Sequence, residues 1–345
     1  MNIRRWPAVA ASCAVLSLGL AACGSDDDEG GDSGSGGETT SLKVGMILPG
    51  PINDKGFNQT GYEGLEECES QGAETSFQEL VPVPEFDRTY ETLSQENDLV
   101  IGHGFEFGEV AAKVAPDFPD VEYVVTSNPL EPEQDNIQHL MPNSTQGAYL
   151  AGVVAGNATE TNKLGGIFGF EYPVLQTQAE AFEAGAKSVN PDVTFEAVYL
   201  GTFDDVAKGK EAARSQAASG IDVIYHIADS AGVGVIEGAS EEGVYAIGWG
   251  VDQNEIAPET VIASQIVDQA KMIGLACEQA MAGEFEGGTL VVDGLESGVI
   301  DLSPVYNLPE DVQTQVDEVK KQIIDGDVEV PSVGGDIPGS GEGSG

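Results

Sequence analysis

An α/β fold in two lobes, each a parallel sheet with helices on both faces and a hinged cleft between them, is predicted by the 345-residue sequence. Three observations predict it. Short apolar segments of strand length alternate with amphipathic segments of helix length, the pattern of parallel sheets covered by helices. The alternation runs through two successive series of roughly 100 residues each, the size of one small domain. Loops after the strand segments carry glycine, a polar group and often an aromatic ring, where ligands of open α/β sheets bind.

Residues 43–48 (KVGMIL) read as a strand, followed by Pro49-Gly50-Pro51 and a helix over about 58–71. Strands follow at 98–101 and 121–126, with a helix at 107–115 between them. The second series reads strand 164–169, helix 175–189, strand 194–199, helix 204–219, strand 223–227, helix 233–242 and strand 244–249. Asp204 stands where an N-cap belongs and Gly220 where a C′ residue belongs. A further helix is expected over about 268–282.

Acidic side chains number 59 against 14 basic ones, for a formal net charge of −45. Binding of nucleic acid through a basic face is excluded, because counterion release needs clustered Lys and Arg. Binding to anionic lipid surfaces fails for the same reason. Such acidity serves solubility or suits salty surroundings.

The N-terminus is a leader. Arg4-Arg5 precede an apolar run from Ala8 to Ala22 that is too short to span a bilayer as a mature helix, and then Cys23. Leu20-Ala21-Ala22-Cys23 looks like the lipobox of bacterial lipoproteins, with cleavage after residue 22 and acylation of the Cys23 thiol. Two or three acyl chains, at ~0.8 kcal/mol per buried methylene, make a durable anchor. Residues 23–41 then form an acidic Gly/Ser tether, and 331–345 a disordered tail. The protein is expected on the extracytoplasmic face of the cell membrane. There Cys68 and Cys277, each on an expected helix, either pair or remain two separate buried thiols. No CxxC occurs, and His103, His139 and His226 are not at ligand spacing, so no metal and no cofactor is expected.

Candidate cleft residues lie in the strand-end loops. The first loop, 50–58, offers Asn53, Asp54 and Phe57 at a helix N-terminus; the loop 102–107 offers Phe105 and Phe107 among glycines. The second series offers Tyr172 in 169–173, Asp229 in 228–232, and Trp249 and Asp252 in 248–253. Rings stack on a flat ligand, and carboxylates and amides bond hydroxyls and ring nitrogens. Plainer roles exist for each: Asn53-Asp54 as a helix cap, Phe57 as a staple, Phe105 and Phe107 as core, Trp249 as packing between lobes. No GxSxG, no P-loop and no Cys–His pair is apparent, so no catalytic residue is assigned.

Several segments resemble the basic membrane protein family of ABC-transporter substrate-binding lipoproteins, which includes the purine nucleoside receptors. They are Asn53-Asp54-Lys55-Gly56-Phe57-Asn58 with Tyr62-Glu63-Gly64-Leu65, Gly147-Ala148-Tyr149-Leu150-Ala151-Gly152, Gly201-Thr202-Phe203-Asp204-Asp205 with Lys208-Gly209-Lys210-Glu211-Ala212, and Tyr245-Ala246-Ile247-Gly248. The resemblance runs from about 43 to 325 and implies a type I periplasmic-binding-protein fold with three crossings between lobes. On that likeness lobe 1 comprises 42–145 plus about 251–284, which carries Cys277 beside Cys68. Lobe 2 comprises 146–250 plus about 285–330. The likeness further implies a non-enzymatic receptor that captures a nucleoside-like solute for a permease and its ATPase. Asn53 and Asp54 would bond the base or sugar, and Phe57 would stack on the base.

The sugar side departs from the family pattern. Where the family often reads Gly-Val-Asp-x-Asp-Gln, this chain has Gly248-Trp249-Gly250-Val251-Asp252-Gln253, so a sugar-binding aspartate is replaced by Gly250. A usual lysine falls at Val267, and an Ala-Gly-x-Thr-Gly loop becomes Ala228-Asp229-Ser230-Ala231-Gly232. The expectation is a nucleoside-binding receptor of an importer; the alternatives are a ligand sensor of the same fold, or binding of a free purine base or a sugar.

Overall fold

The computed structural model describes residues 41–53 and 57–331. The leader, Cys23, most of the tether, Asp54 and residues 332–345 of the expected tail lie outside the described residues.

The first sheet is built from β1 (Lys43–Ile47), β2 (Glu74–Gln78), β3 (Leu99–Gly102), β4 (Glu122–Thr126) and β5 (Ile137–Pro142). The helices α1 (Phe57–Ser70), α2 (Phe86–Glu96) and α3 (Gly108–Val114) lie between the strands in the chain. The central strands read as unbroken apolar runs because both faces are covered. Val44, Met46, Leu99, Ile101 and Val124 pack on the side of α1, whereas Ile47, Val100, Tyr123 and Val125 pack on the side of α2 and α3.

The second lobe starts with α4 (Ser144–Ala158) and continues through β6 (Lys163–Phe168), α5 (Pro173–Val189), β7 (Thr194–Tyr199), α6 (Val206–Ala218), β8 (Val223–Ile227), α7 (Asp229–Glu242), β9 (Tyr245–Gly250) and β10 (Val261–Val267). α4 is buried on nearly every side. It packs so closely on α5 that a side chain at Gly152 would overlap the carbonyl of Phe182, and one at Gly185 the carbonyl of Tyr149. The chain ends with α8 (Gln269–Ala282), β11 (Thr289–Asp293), β12 (Ile300–Leu302) and α9 (Glu310–Ile324).

Strand orders are β11-β5-β4-β3-β1-β2 and β12-β10-β9-β8-β6-β7. The pairings are parallel except β10 with β12. The chain thus crosses between sheets three times, at Asn143, at Asp268 and over 294–299. Each crossing leaves the C-terminal end of a strand, β5, β10 or β11, and the first two links are one residue long. The C-terminal edges of the two sheets are therefore held side by side. Backbone bonds join the crossings: Asn143 N–H donates to the Asp293 carbonyl (2.6 Å) and Asp268 N–H to the Val299 carbonyl (2.8 Å). Leu295 N–H donates to Gln146 Oε1 (2.8 Å), tying the third crossing to the first turn of α4.

The crossings differ from the boundaries expected at 251 and 284. β10 stays in the second sheet, because Val261, Ile262 and Ala263 fill that lobe's two cores. β11 pairs with β5 in the first sheet, so lobe 1 receives the chain at 268 and keeps it through 293. The N-cap of α6 is Asp205, not Asp204: its carboxylate accepts the Lys208 N–H at 3.0 Å, while Asp204 N–H donates to the Thr202 hydroxyl. Gly220 takes the C′ place with φ +91°.

α8 returns to the first lobe and packs on α1, and Cys68 and Cys277 are joined there by a disulfide with their Cα atoms 5.6 Å apart. Both are fully buried, and the bond closes a loop of 209 residues. On the chain-entropy model a loop that long is worth roughly 5 kcal/mol. Replacing both cysteines by serine should lower the unfolding free energy by roughly 2–5 kcal/mol. Urea unfolding of the double variant measures this, and an unchanged midpoint would contradict the role given to the bond.

Candidate functional site

On the first lobe, the loop after β1 leads into α1, and Phe57 is the first helical residue. Its ring stacks on His103, with centroids 3.9 Å apart and 21° between planes, and its carbonyl accepts a bond from His103 Nε2 at 2.8 Å. The His103 ring seats against α1 because residue 61 is glycine, with no side chain to collide with it. His103 Nδ1 contacts the Thr126 hydroxyl (2.9 Å), which also accepts the Gly104 N–H (3.1 Å). Thr126 is fully buried. Its contact with His103 is therefore structural, since a nucleophile needs a path to substrate. One face of Phe57 is held by the imidazole and its place is set at the strand ends.

On the second lobe, Phe170 and Tyr172 stack after β6 (5.3 Å, 11°), and Phe170 meets Phe203 at 5.2 Å. Tyr172 is half exposed. Trp249 is the penultimate residue of β9, and its backbone N–H donates to Gln253 Oε1 (3.1 Å). The same oxygen receives His226 Nε2 at 2.9 Å, and Gln253 N–H donates to the Ser264 hydroxyl at 3.0 Å. Trp249 Nε1 is buried with no protein partner. Gln265, opposite Trp249 on β10, is fully buried. It accepts the Tyr225 hydroxyl and donates from Nε2 to the Ser144 carbonyl (2.9 Å), connecting this strand end to the first crossing.

The expected residues separate into groups. Asn53, Phe105, Tyr172 and Asp229 are exposed at strand ends, with Phe105 69% accessible. Phe57 and Trp249 are half-buried at the same edges. Asp229 begins α7 with φ +42°, a left-handed backbone that is uncommon for a residue with a side chain. Phe107 is core: it is fully buried against Phe86 and Tyr90. The Asp252 carboxylate accepts Asn254 N–H (3.0 Å) and the Tyr306 hydroxyl (2.6 Å), so it anchors its own loop to the segment before α9.

His103, Phe170, Gln253 and His226 were missed as site residues. His103 and Phe170 sit inside loops the sequence singles out, so position was a usable signal. The partners of Gln253 lie on β8 and β10, and strand adjacency is not visible from spacing. Among the described residues no group of three or more His, Cys, Asp or Glu is placed to hold a metal ion. The arrangement offers rings, amides and carboxylates, which can stack and hydrogen-bond a planar uncharged solute.

The chain is similar to known proteins over most of its length. Residues 41–333 match the family model described as ABC transporter substrate-binding protein PnrA-like. The ABC transporter nucleoside-binding protein BmpA of Lactococcus lactis is 30% identical over 95% of this chain and 99% of its own length. A CD4+ T-cell-stimulating antigen of Listeria innocua is also 30% identical, over 95% and 99% of the two chains. Among solved structures, a transcriptional activator of comK from Bacillus halodurans superposes with TM-score 0.75 at 26% identity, over 84% of this chain and 99% of its own. A solute-binding protein of an ABC transporter system from Conexibacter woesei gives 0.71 at 26%, over 85% and 99%. The chain belongs to the PnrA-like family of ABC transporter substrate-binding proteins, which are solute-binding proteins and not enzymes.

The buried His226 imidazole gives the second lobe a measurable signature. Burial pushes His226 down to about 4, against the opposing effect of its bond to Gln253, and burial also lowers His139. An unfolded imidazole titrates near 6.5, so between about 6.5 and 4 the unfolded chain binds the proton that folded His226 refuses. This contribution to stability is complete above pH 6.5 and falls by up to roughly 3 kcal/mol as pH drops toward 4. His226→Gln should flatten the decline between pH 7 and 4.5 in urea titrations; parallel declines would contradict the assignment.

Proposed function

We propose that this member of the PnrA-like family is a lipid-anchored, extracytoplasmic receptor that binds a nucleoside between its lobes and hands it to an ABC permease. The observation that carries the reading is the pair of adjoining C-terminal sheet edges, one presenting Phe57 and the other Tyr172 and Trp249, with polar groups beside each. With 268–293 in lobe 1, the cleft of this reading lies between these edges. Asn53 and Asp54 bond the heterocycle or sugar, Phe57 and Phe105 stack from one side, and Tyr172, Asp229 and Trp249 close from the other. Ligand favours the closed state because only that state contacts it from both edges. The closed form is then what the permease recognises, and its ATPase drives release.

Support comes from the nucleoside-binding relative in L. lactis and from the leader ending at Cys23. The anchor also separates this role from that of a transcriptional activator, the name attached to the B. halodurans structure of the same fold. Excess negative charge disfavours phosphorylated ligands, consistent with an uncharged nucleoside.

Calorimetry on protein unfolded and refolded to strip carried-over ligand tests the reading, with guanosine, adenosine, free purines and simple sugars as titrants. A nucleoside should bind without product, and Phe57→Ala should weaken it at least about fivefold, as the loss of one stacking ring at ~1–3 kcal/mol requires. Silence toward nucleosides with binding of a free base or a sugar would overturn the ligand assignment. An unchanged affinity for Phe57→Ala would remove the ring from the site.

A further inference from the structure

We infer that His226, a side chain 1% exposed, is the positioning residue for the ligand-facing loop 249–253 and acts on it through Gln253. The inference rests on the reading that Trp249 faces ligand.

The direction of the hydrogen bonds follows from the backbone. Trp249 N–H can only donate, so the Gln253 atom that receives it is the amide oxygen. That oxygen also meets His226 Nε2, so Nε2 carries the ring proton and Nδ1 is bare. Nδ1 is buried and meets no donor. The ring cannot improve its position, because it lies against Gly232 in the first turn of α7, where any side chain would overlap it. On its other side, Gly248 leaves room for the Gln253 amide and the Ser264 hydroxyl, which a side chain would displace. The imidazole is thus wedged between α7 and the loop, with its one N–H aimed at the loop.

Past Trp249, which packs against the lobe's core, burial does little to hold that loop. Val251 is 58% exposed, and Gly250 has φ +89°, a turn that a side chain would strain. Trp249 and Gly250 pair with β10, and side-chain hydrogen bonds from three directions hold the rest: His226 on β8, Ser264 on β10, and Tyr306 on the segment before α9. Only the His226 bond and the Trp249 N–H meet on one oxygen, so the imidazole fixes the atom that fixes the tryptophan backbone.

Trp249 reports the outcome, since the only other tryptophan is Trp6 in the leader. The experiment uses the full chain in a Trp6→Phe background, comparing the parent with His226→Gln, which keeps an N–H near the Nε2 position, and His226→Leu, which fills the space without a donor. Guanosine affinity is read by calorimetry, and Trp249 by emission maximum and acrylamide quenching. The leucine variant should bind guanosine at least about tenfold more weakly, with redder and more quenchable emission, while the glutamine variant stays within about threefold of the parent. Parent-like affinity and emission in the leucine variant would overturn the inference, as would equal impairment of both. Should the leucine variant fail to fold, Gln253→Leu removes the acceptor from the loop side and carries the same expectations. A parent that binds no nucleoside refutes the proposed ligand instead, and Trp249 emission and quenching in the variants still decide the role of His226.

Discussion

The molecule depends on one topological constraint: three chain crossings leave strand C-termini and are tied to one another within a few residues. Asn143, Asp293, Asp268 and Val299 share the backbone bonds that join them. In parallel sheets the C-terminal edge is where loops are free to carry chemistry. Routing every crossing through that edge joins the two functional edges and leaves no other covalent link among the described segments of the lobes. Relative motion of the lobes then needs only dihedral changes in short links, while each sheet keeps its own core. The disulfide serves the same plan. It fastens α8, the returning element, to α1, so the second crossing ends on a rigid wall.

Much of this was legible in the sequence. Strands buried on both faces, such as Val223–Ile227, announce themselves as apolar runs, and α5 and α8 as helices of ordinary amphipathicity. β2 and α4 lack such a signal. β2 (ETSFQ) is a polar edge strand with alternating exposure, and α4 has no polar face to reveal its period. β10 and β11 were assigned to the wrong lobes because pairing partners are a property of the sheet and not of the strand. In the site, Phe57, Tyr172 and Trp249 were readable as rings in strand-end loops. The support behind them was not, since the bonds of His103 to Phe57 and of His226 to Gln253 span 46 and 27 residues.

Charge shapes what such a cleft can accept. Lys113, Lys187, Lys210, Arg214, Lys320 and Lys321 are each paired with a carboxylate at the surface, and pairs of that kind stabilise little. Their effect is to neutralise neighbours, while acidic groups outnumber basic ones 59 to 14 over the sequence. A field of that sign repels anions over about 10 Å in ordinary salt. Under the proposed function, selection at the site falls to ring stacking and directed hydrogen bonds, which discriminate by rejecting molecules that leave buried polar groups unmet. A buried Trp249 Nε1 without a protein partner is one such group.

The central claim is that the two edges form one site by closing on a ligand. Small-angle X-ray scattering of the protein, stripped of ligand and then saturated with the nucleoside that binds tightest, tests it most directly. Closure on the ligand gives a smaller radius of gyration in the saturated protein, with the change abolished by Phe57→Ala at the same nucleoside concentration. Identical scattering profiles with ligand demonstrably bound would contradict it, because binding would then need only one lobe.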